Sequence, residues 1–275
     1  EHIEYPRNVL DYKTNYYRTT YSPSITEMNG DIYVSYEISE VCNISDERST
    51  VTKVKKSSDG GLTWTEFGEI AGMRWATVFA LNGRIYLLGN NLGNNNAMIA
   101  SIDPDGKTRS ADIAVGVGGG APTAVIVKDG RIYKAFGRKT ISADITTDLF
   151  ENSSWLCSQD ITELFTTKWL SEAIGRNVTV VPIEPNIVAG KDGELYVFFR
   201  IDAATQIQLV AKLTDNGTRY EIAGEGIIRD FPTSKSKITI RYDEATDQYI
   251  TISNPYMGGP MQNQRIVLCI AGSDD

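Results

Sequence analysis

Histidine is all but missing from this chain: its single copy, His2, stands next to the first residue. Histidine triads, zinc–histidine centres and histidine general bases are therefore excluded from the interior. Cysteine is scarce as well. Cys42, Cys157 and Cys269 are an odd count with no metal-ligand spacing, and they read as small buried side chains in strands, with one disulfide plus a free thiol as the alternative. No metal and no other cofactor is expected. No apolar run approaches the ~20 residues a membrane-spanning helix needs, so membrane insertion is not expected. Positive charge is in deficit, with 27 Lys and Arg against 35 Asp and Glu and a net charge of −8. That balance argues against nucleic acid and anionic membranes as partners, while leaving room for a local basic pocket. No signal peptide is visible, which fits a cytosolic chain or a mature one; the expectation is a secreted or periplasmic protein whose signal peptide has been removed. No Pro/Gly/Ser-rich linker divides the sequence. The glycine-rich stretch 116–120 lacks the Lys-Ser/Thr of a phosphate loop. Residues 1–275 read as one domain.

What the chain does have is hairpin turns at a long, regular spacing. Asn29-Gly30-Asp31-Ile32-Tyr33 recurs as Asn82-Gly83-Arg84-Ile85-Tyr86, as Asp129-Gly130-Arg131-Ile132-Tyr133 and as Asp192-Gly193-Glu194-Leu195-Tyr196. A degenerate copy is Thr246-Asp247-Gln248-Tyr249-Ile250. Asn-Gly or Asp-Gly between apolar runs is the strongest short-range hairpin signal. Positions 30, 83, 130, 193 and 247 are 53, 47, 63 and 54 residues apart, a period that suits one four-stranded propeller blade per repeat. Other strands fill the gaps, at 51–56, 97–102 and 206–213. Only 160–170 suggests a short helix.

One turn is more elaborate. Ser57-Ser58-Asp59-Gly60-Gly61-Leu62-Thr63-Trp64 reads S-x-D-x-G-x-T-W without a mismatch. Glycines at 60 and 61 reach the positive φ of a tight turn. The Asp59 carboxylate and the Ser57 and Thr63 hydroxyls satisfy turn amides that the strand ladder leaves unpaired. Trp64 packs over the turn. Worn copies stand at Asp103–Thr108 and Thr214–Thr218, and Ser273-Asp274-Asp275 begins another.

This motif is the Asp-box, and with it the chain resembles the sialidase superfamily, most closely bacterial (Bacteroidetes-type) exo-α-sialidase-like proteins. The resemblance extends over Tyr21-Ser22-Pro23-Ser24-Ile25, Gly120-Ala121-Pro122, 142–155, Glu184 to Arg200 and Lys237 to Asn254. It implies an all-β, sialidase-like β-propeller of about six blades, with the last blade incomplete here and the family's tyrosine nucleophile beyond Asp275. It also implies a set of arginines gripping the carboxylate of a sialic acid. A planar guanidinium matches a carboxylate two-pronged, and a neutral tyrosine nucleophile avoids setting a carboxylate against an anionic substrate. Arg200 and Arg265 match two of the grip positions. The third slot is occupied by Tyr21, with Arg18 three residues upstream. Glu184 matches the glutamate that activates the tyrosine. The acid/base aspartate falls at Asp46, with Glu37 and Glu40 as competitors. Arg241 and Lys237, in the run K-I-T-I-R, are a secondary part of the pocket or a polar strand face. Each position has a plainer reading: solvated strand ends for Arg200 and Arg265, a turn carboxylate for Glu184, a surface loop residue for Asp46.

The functional expectation is a sialidase-like glycoside hydrolase removing sialic acid or a related acidic sugar from glycans. The alternatives are a non-catalytic carbohydrate-binding propeller and an enzyme acting on another anionic sugar such as a uronic acid.

Overall fold

Five antiparallel sheets account for nearly all the regular structure in the computed structural model, which describes residues 17–41, 50–114, 116–178, 182–201, 206–233, 235–258 and 267–275. The first sheet runs β1 (Tyr17–Met28), β2 (Asp31–Val41), β3 (Val51–Ser57), β4 (Thr65–Ala71). The second runs β5 (Met73–Leu81), β6 (Arg84–Asn91), β7 (Ala97–Ile102), β8 (Thr108–Ala114). The third is β9 (Val125–Lys128), β10 (Arg131–Phe136), β11 (Lys139–Asp144), β12 (Trp155–Cys157). The fourth is β13 (Ile183–Ala189), β14 (Leu195–Arg200), β15 (Gln208–Thr214), β16 (Arg219–Ile228). The fifth has three strands among the described residues, β17 (Ile238–Asp243), β18 (Gln248–Ser253) and β19 (Cys269–Ser273). Within each sheet every strand pairs with its neighbour in sequence, the meander of a propeller blade.

The hairpin turns set this pattern. Asn29 and Gly30, Asn82 and Gly83, and Asp129 and Gly130 all have positive φ at both central positions, the turn whose twist matches paired strands. The tyrosines that follow occupy one register. Tyr33 lies opposite Thr26, Tyr86 opposite Phe79, Tyr133 opposite Ile126 and Tyr196 opposite Val188, each three residues after its hairpin glycine. The Asp-box joins β3 to β4, and its two worn copies join β7 to β8 and β15 to β16, the same corner of three sheets.

The chain packs as two compact units, one of residues 1–122 with 149–153, the other of 123–148 with 154–275. The first unit holds a core of Tyr33, Val54, Ile70, Met73, Val78, Ile85, Leu87 and their neighbours. The second is built on Phe165, Leu170, Ile187, Val197, Phe199, Leu209 and Tyr220. Each such aliphatic or aromatic side chain removed from water contributes about 1.5–3 kcal/mol before the entropy of ordering is set against it. The helix falls a little later than 160–170. A single turn covers Ile161–Glu163, and α1 covers Thr167–Ile174, started by the Thr166 hydroxyl accepting from the Trp169 amide at 3.2 Å and stopped by left-handed Gly175.

The Asp-box forms as its residue types require. Ser57 Oγ donates to Asp59 Oδ1 at 2.7 Å and accepts from the Gly61 amide at 2.9 Å, while the Thr63 amide donates to Asp59 Oδ1 at 2.9 Å. Those donors, led by the Thr63 hydroxyl, hold the Asp59 carboxyl down at about 2. Trp64 is half-buried and donates Nε1 to the Gly61 carbonyl at 3.0 Å. Ser273 and Asp275 repeat the first contact, hydroxyl to carboxylate at 2.9 Å. The cysteines depart from expectation: Cys157 is exposed on β12 and Cys269 half-buried, both free thiols, because the outermost strands of these sheets keep one face in solvent. Cys42 lies outside the described residues.

Candidate functional site

The site begins with a break in a ladder. Along β13 the register with β14 shifts between Ile183 and Asn186. Pro185 in this gap has no N–H to donate, and Glu184 takes a left-handed φ of 47°. That conformation is costly for a non-glycine residue and recurs at functional sites. Arg200, the last residue of β14, lies opposite Ile183, so the bulge sets the Glu184 carboxylate beside its guanidinium. Arg200 Nε and Glu184 Oε2 are 3.0 Å apart, with the N–H not aimed along that line; the contact is an ion pair and not a well-formed hydrogen bond. Arg200 Nη1 donates to the Lys235 carbonyl at 2.6 Å. Lys237 Nζ stands 3.6 Å from Glu184 Oε1. One carboxylate thus faces two cations, and the cluster keeps a surplus positive charge. Arg200 is nearly buried, with a side chain 11% exposed; that of Lys237 is 54% exposed.

The segment carrying Lys235 and Lys237 is fastened from beneath. Gln208 Nε2 donates to the Thr233 carbonyl at 2.6 Å, the Ser236 amide donates to Thr233 Oγ1 at 3.1 Å, and Asn186 Nδ2 donates to the Ile238 carbonyl at 3.1 Å. Asn186 and Gln208 are fully buried. The Tyr256 amide donates to the Pro232 carbonyl at 2.8 Å, which brings the loop after β18 to this same edge.

The bulge is a recurring device. β1 shifts register between Tyr21 and Ser24, and β5 between Arg74 and Thr77. Ser22 and Trp75 are left-handed there, as Glu184 is in β13. The residues across from these bulges, Glu37, Asn90 and Arg200, each lie seven positions after the hairpin glycines Gly30, Gly83 and Gly193. Next to Asn90, Gly89 has no room for a side chain, since a Cβ would meet the Arg74 carbonyl at 2.7 Å. Glu37, a competitor for the acid/base role, is fully buried and accepts the Trp75 backbone amide, so it fastens the bulge of the neighbouring second sheet.

Of the residues selected from sequence, the structure brings Glu184 and Arg200 together. It does not bring Arg241 to them. Lys237, Thr239 and Arg241 share a strand face, but a strand rises about 3.3 Å per residue, so four residues separate Lys237 and Arg241 by roughly 13 Å. Arg241 is exposed, and its charge adds to the effect of burial in pushing the Lys134 ammonium well below the usual lysine range. Tyr242 is also remote. It pairs with Tyr249 next to the β17–β18 turn, and its hydroxyl, bonded to Asp247, is pushed up to about 12. Arg18 lies in β1 opposite Glu40, in the other compact unit. Asp46 and Arg265 lie outside the described residues. Sequence reasoning left Lys237 as a secondary element, since no motif marks it; only the anchoring of Ile238 by Asn186 places it. It missed Lys134, a fully buried lysine donating to Thr123 O at 2.7 Å and to Thr123 Oγ1 at 3.0 Å.

A cavity of about 630 Å³ lies elsewhere, between the fourth and fifth sheets. Tyr196, Phe198, Phe231 and Tyr249 give it apolar walls, and neither Glu184, Arg200 nor Lys237 lines it. Asp192, Asp230, Asp274 and Asp275 outnumber Lys191 and Arg229 there, so its field disfavours an anionic ligand.

No protein-family model matches the chain, and no curated protein sequence matches it. Among solved structures, it is similar to Trypanosoma rangeli sialidase in complex with sialic acid, with a TM-score of 0.54 and 16% identity over 93% of this chain and 46% of that one. A Trypanosoma rangeli sialidase mutant displaying trans-sialidase activity gives a TM-score of 0.50 at 14% identity over 93% and 46%. A Dyadobacter fermentans protein of unknown function gives 0.55 at 12% identity over 92% and 82%. The chain therefore spans less than half the length of the sialidase it matches. At such identities the likeness speaks for architecture alone, and the architecture is that of an all-β propeller of the kind found in sialidases.

Proposed function

We propose that this protein is a glycoside-hydrolase-type propeller acting on a terminal acidic sugar of a glycan, with sialic acid the first candidate and a uronic acid the second. The observation that carries this reading is the nearly buried Arg200 held against the strained Glu184 at 3.0 Å, with Lys237 beside them. A guanidinium fixed at a strand end, with donors left over after its contacts to Glu184 and Lys235, is suited to receiving a carboxylate. Arg265 and Arg18 join the grip in this proposal, Asp46 acts as acid/base, and a tyrosine activated by Glu184 attacks the anomeric carbon. Arg241 has no part in it. A secreted or periplasmic location, where such glycans are met, belongs to the same proposal.

A second reading is a carbohydrate-binding propeller without turnover. One observation favours it: both Glu184 oxygens face cations, Arg200 at 3.0 Å and Lys237 at 3.6 Å, so the carboxylate is engaged within its own cluster. The deciding experiment pairs calorimetric titration of N-acetylneuraminic acid, glucuronic acid and galactose with hydrolysis of fluorogenic sialosides and glucuronides. The expected result is acid-selective binding, and release of the fluorophore from one acidic glycoside is what separates the first reading from the second. Selective binding without release favours the second reading. Equal binding of galactose, or none of either acid, rejects both.

A further inference from the structure

We propose that Lys237, which no motif marks, is the cation that meets the ligand's carboxylate first and fixes the site's preference for a charged sugar, with Arg200 as the buried anchor beneath it; the proposal rests on the acidic-sugar reading above. The two cations differ in what they have left to give. Arg200 is almost enclosed and already engages Glu184 and the Lys235 carbonyl. Lys237 is more than half exposed, and its 3.6 Å approach to Glu184 is too long for a hydrogen bond, so the Coulomb attraction holds it while its N–H groups stay available there. A lysine on a flexible four-carbon stem can turn from Glu184 to an incoming carboxylate without moving the backbone. Glu184 then keeps Arg200, and no buried charge is left alone.

The support beneath Lys237 points the same way. Three polar side chains from the fourth sheet, Arg200 nearly buried and Gln208 and Asn186 fully so, are spent on the short segment that presents it. Arg200 takes the carbonyl of Lys235, Gln208 that of Thr233 and Asn186 that of Ile238. Burying such groups costs free energy that their bonds offset only in part, since Asn186 Oδ1, Gln208 Oε1 and Arg200 Nε have no hydrogen-bond partner, and the bonds that do form go to the backbone on both sides of Lys237. A solvated lysine with no task needs no such mounting. The ligand class is a sugar bearing one carboxylate, since the cluster's surplus amounts to one positive charge.

The test compares wild type, Lys237→Met and Lys237→Arg, titrated calorimetrically with N-acetylneuraminic acid and with glucuronic acid at low and high salt. Both substitutions are at an exposed side chain, and thermal unfolding checks that the fold is retained. Lys237→Met is expected to weaken the acid that wild type prefers by roughly tenfold, the size of one partly solvated charge-assisted contact. It should also flatten the salt dependence, with Lys237→Arg restoring most of both. Wild-type affinity and salt dependence in Lys237→Met would overturn the proposal and leave the acidic-sugar reading standing. If wild type binds neither acid, that reading falls and this proposal with it.

Discussion

Replacing Glu184 with alanine and, separately, with glycine divides its role into two measurable parts. Both changes remove the carboxylate that faces Arg200 at 3.0 Å and Lys237 at 3.6 Å. Taking one partner from a buried ion pair costs about 3–5 kcal/mol. Glu184 is 22% exposed and Lys237 more so, which brings the expected loss nearer ~2 kcal/mol. The two variants differ in backbone cost. Alanine at φ 47° keeps the left-handed penalty of roughly 1–2 kcal/mol, which glycine escapes. Glycine surrenders about 0.5–1 kcal/mol of extra chain entropy in return. Glu184→Gly should therefore unfold at higher urea than Glu184→Ala, by about 0.5–1 kcal/mol, with both less stable than wild type. Glu184→Gln, which keeps size and strain and drops only the charge, measures the ion pair by itself. Urea midpoints at equal slope give all four values. An alanine variant as stable as the glycine variant would falsify the strain reasoning, and a glutamine variant equal to wild type would show that the ion pair contributes nothing.

Other perturbations have equally definite outcomes. Asp59→Asn should lower the thermal midpoint and leave acidic-sugar affinity unchanged. Because the folded Asp59 carboxyl sits at about 2, below its ordinary 3.8, its contribution is present above the ordinary value and is lost as pH falls through about 2. The stability gap between the two proteins should close over that window, and a gap constant down to the lowest pH would contradict the assignment. The pH dependence expected from Lys134 has the same sign, here because burial disfavours the charged ammonium in the folded state. Its folded value is depressed, so the unfolded chain binds the extra proton between that value and the ordinary 10.5, and wild-type stability should rise with pH across the interval. Lys134→Met should lose that rise in pH-dependent urea unfolding, and an unchanged slope in the variant would mean that Lys134 is charged when folded. Tyr242→Phe, which removes a hydroxyl bonded to Asp247 at a distant turn, should alter neither ligand affinity nor any hydrolysis. A variant devoid of hydrolysis would place Tyr242 at the site.

The architecture was legible because it is written in local turn chemistry. Positive φ at Asn29–Gly30, Asn82–Gly83 and Asp129–Gly130 is a demand of the backbone that few residue types meet, so the turns appear in the letters themselves. The same holds for Ser57, Asp59 and Thr63, whose partners all lie within four residues. The fifth turn, with Asp247 in place of glycine, was legible only by its spacing. Burial at the outer strands was not legible: the exposed Cys157 has neighbours, Trp155 and Leu156, that read as core, and nothing local says that β12 is the last strand of its sheet.

The site was half legible for a related reason. Glu184 and Arg200 are on paired strands, and the distance between them in sequence is set by one hairpin, so a motif can carry both. Lys237 reaches Glu184 from another sheet, through a register held by Asn186 and Ile238, and no spacing within a repeat encodes it. Arg241 and Lys237 read alike in the run K-I-T-I-R, and the rise of the strand makes position 237 the one at the correct edge. What the sequence carried without being read was the bulge itself. Tyr21-Ser22-Pro23 and Ile183-Glu184-Pro185 are the same interruption in two first strands, and Arg74-Trp75-Ala76 is a third without its proline. Each places a left-handed residue across from the position seven beyond the hairpin glycine. Counting seven from the glycine finds Glu37, Asn90 and Arg200 in the sequence itself, and the bulges decide how they are used: Glu37 is consumed in holding the Trp75 amide, while Arg200 retains donors beyond its partners. The propeller repeats the mounting, and the side chain placed on it decides whether a sheet supplies support or a site.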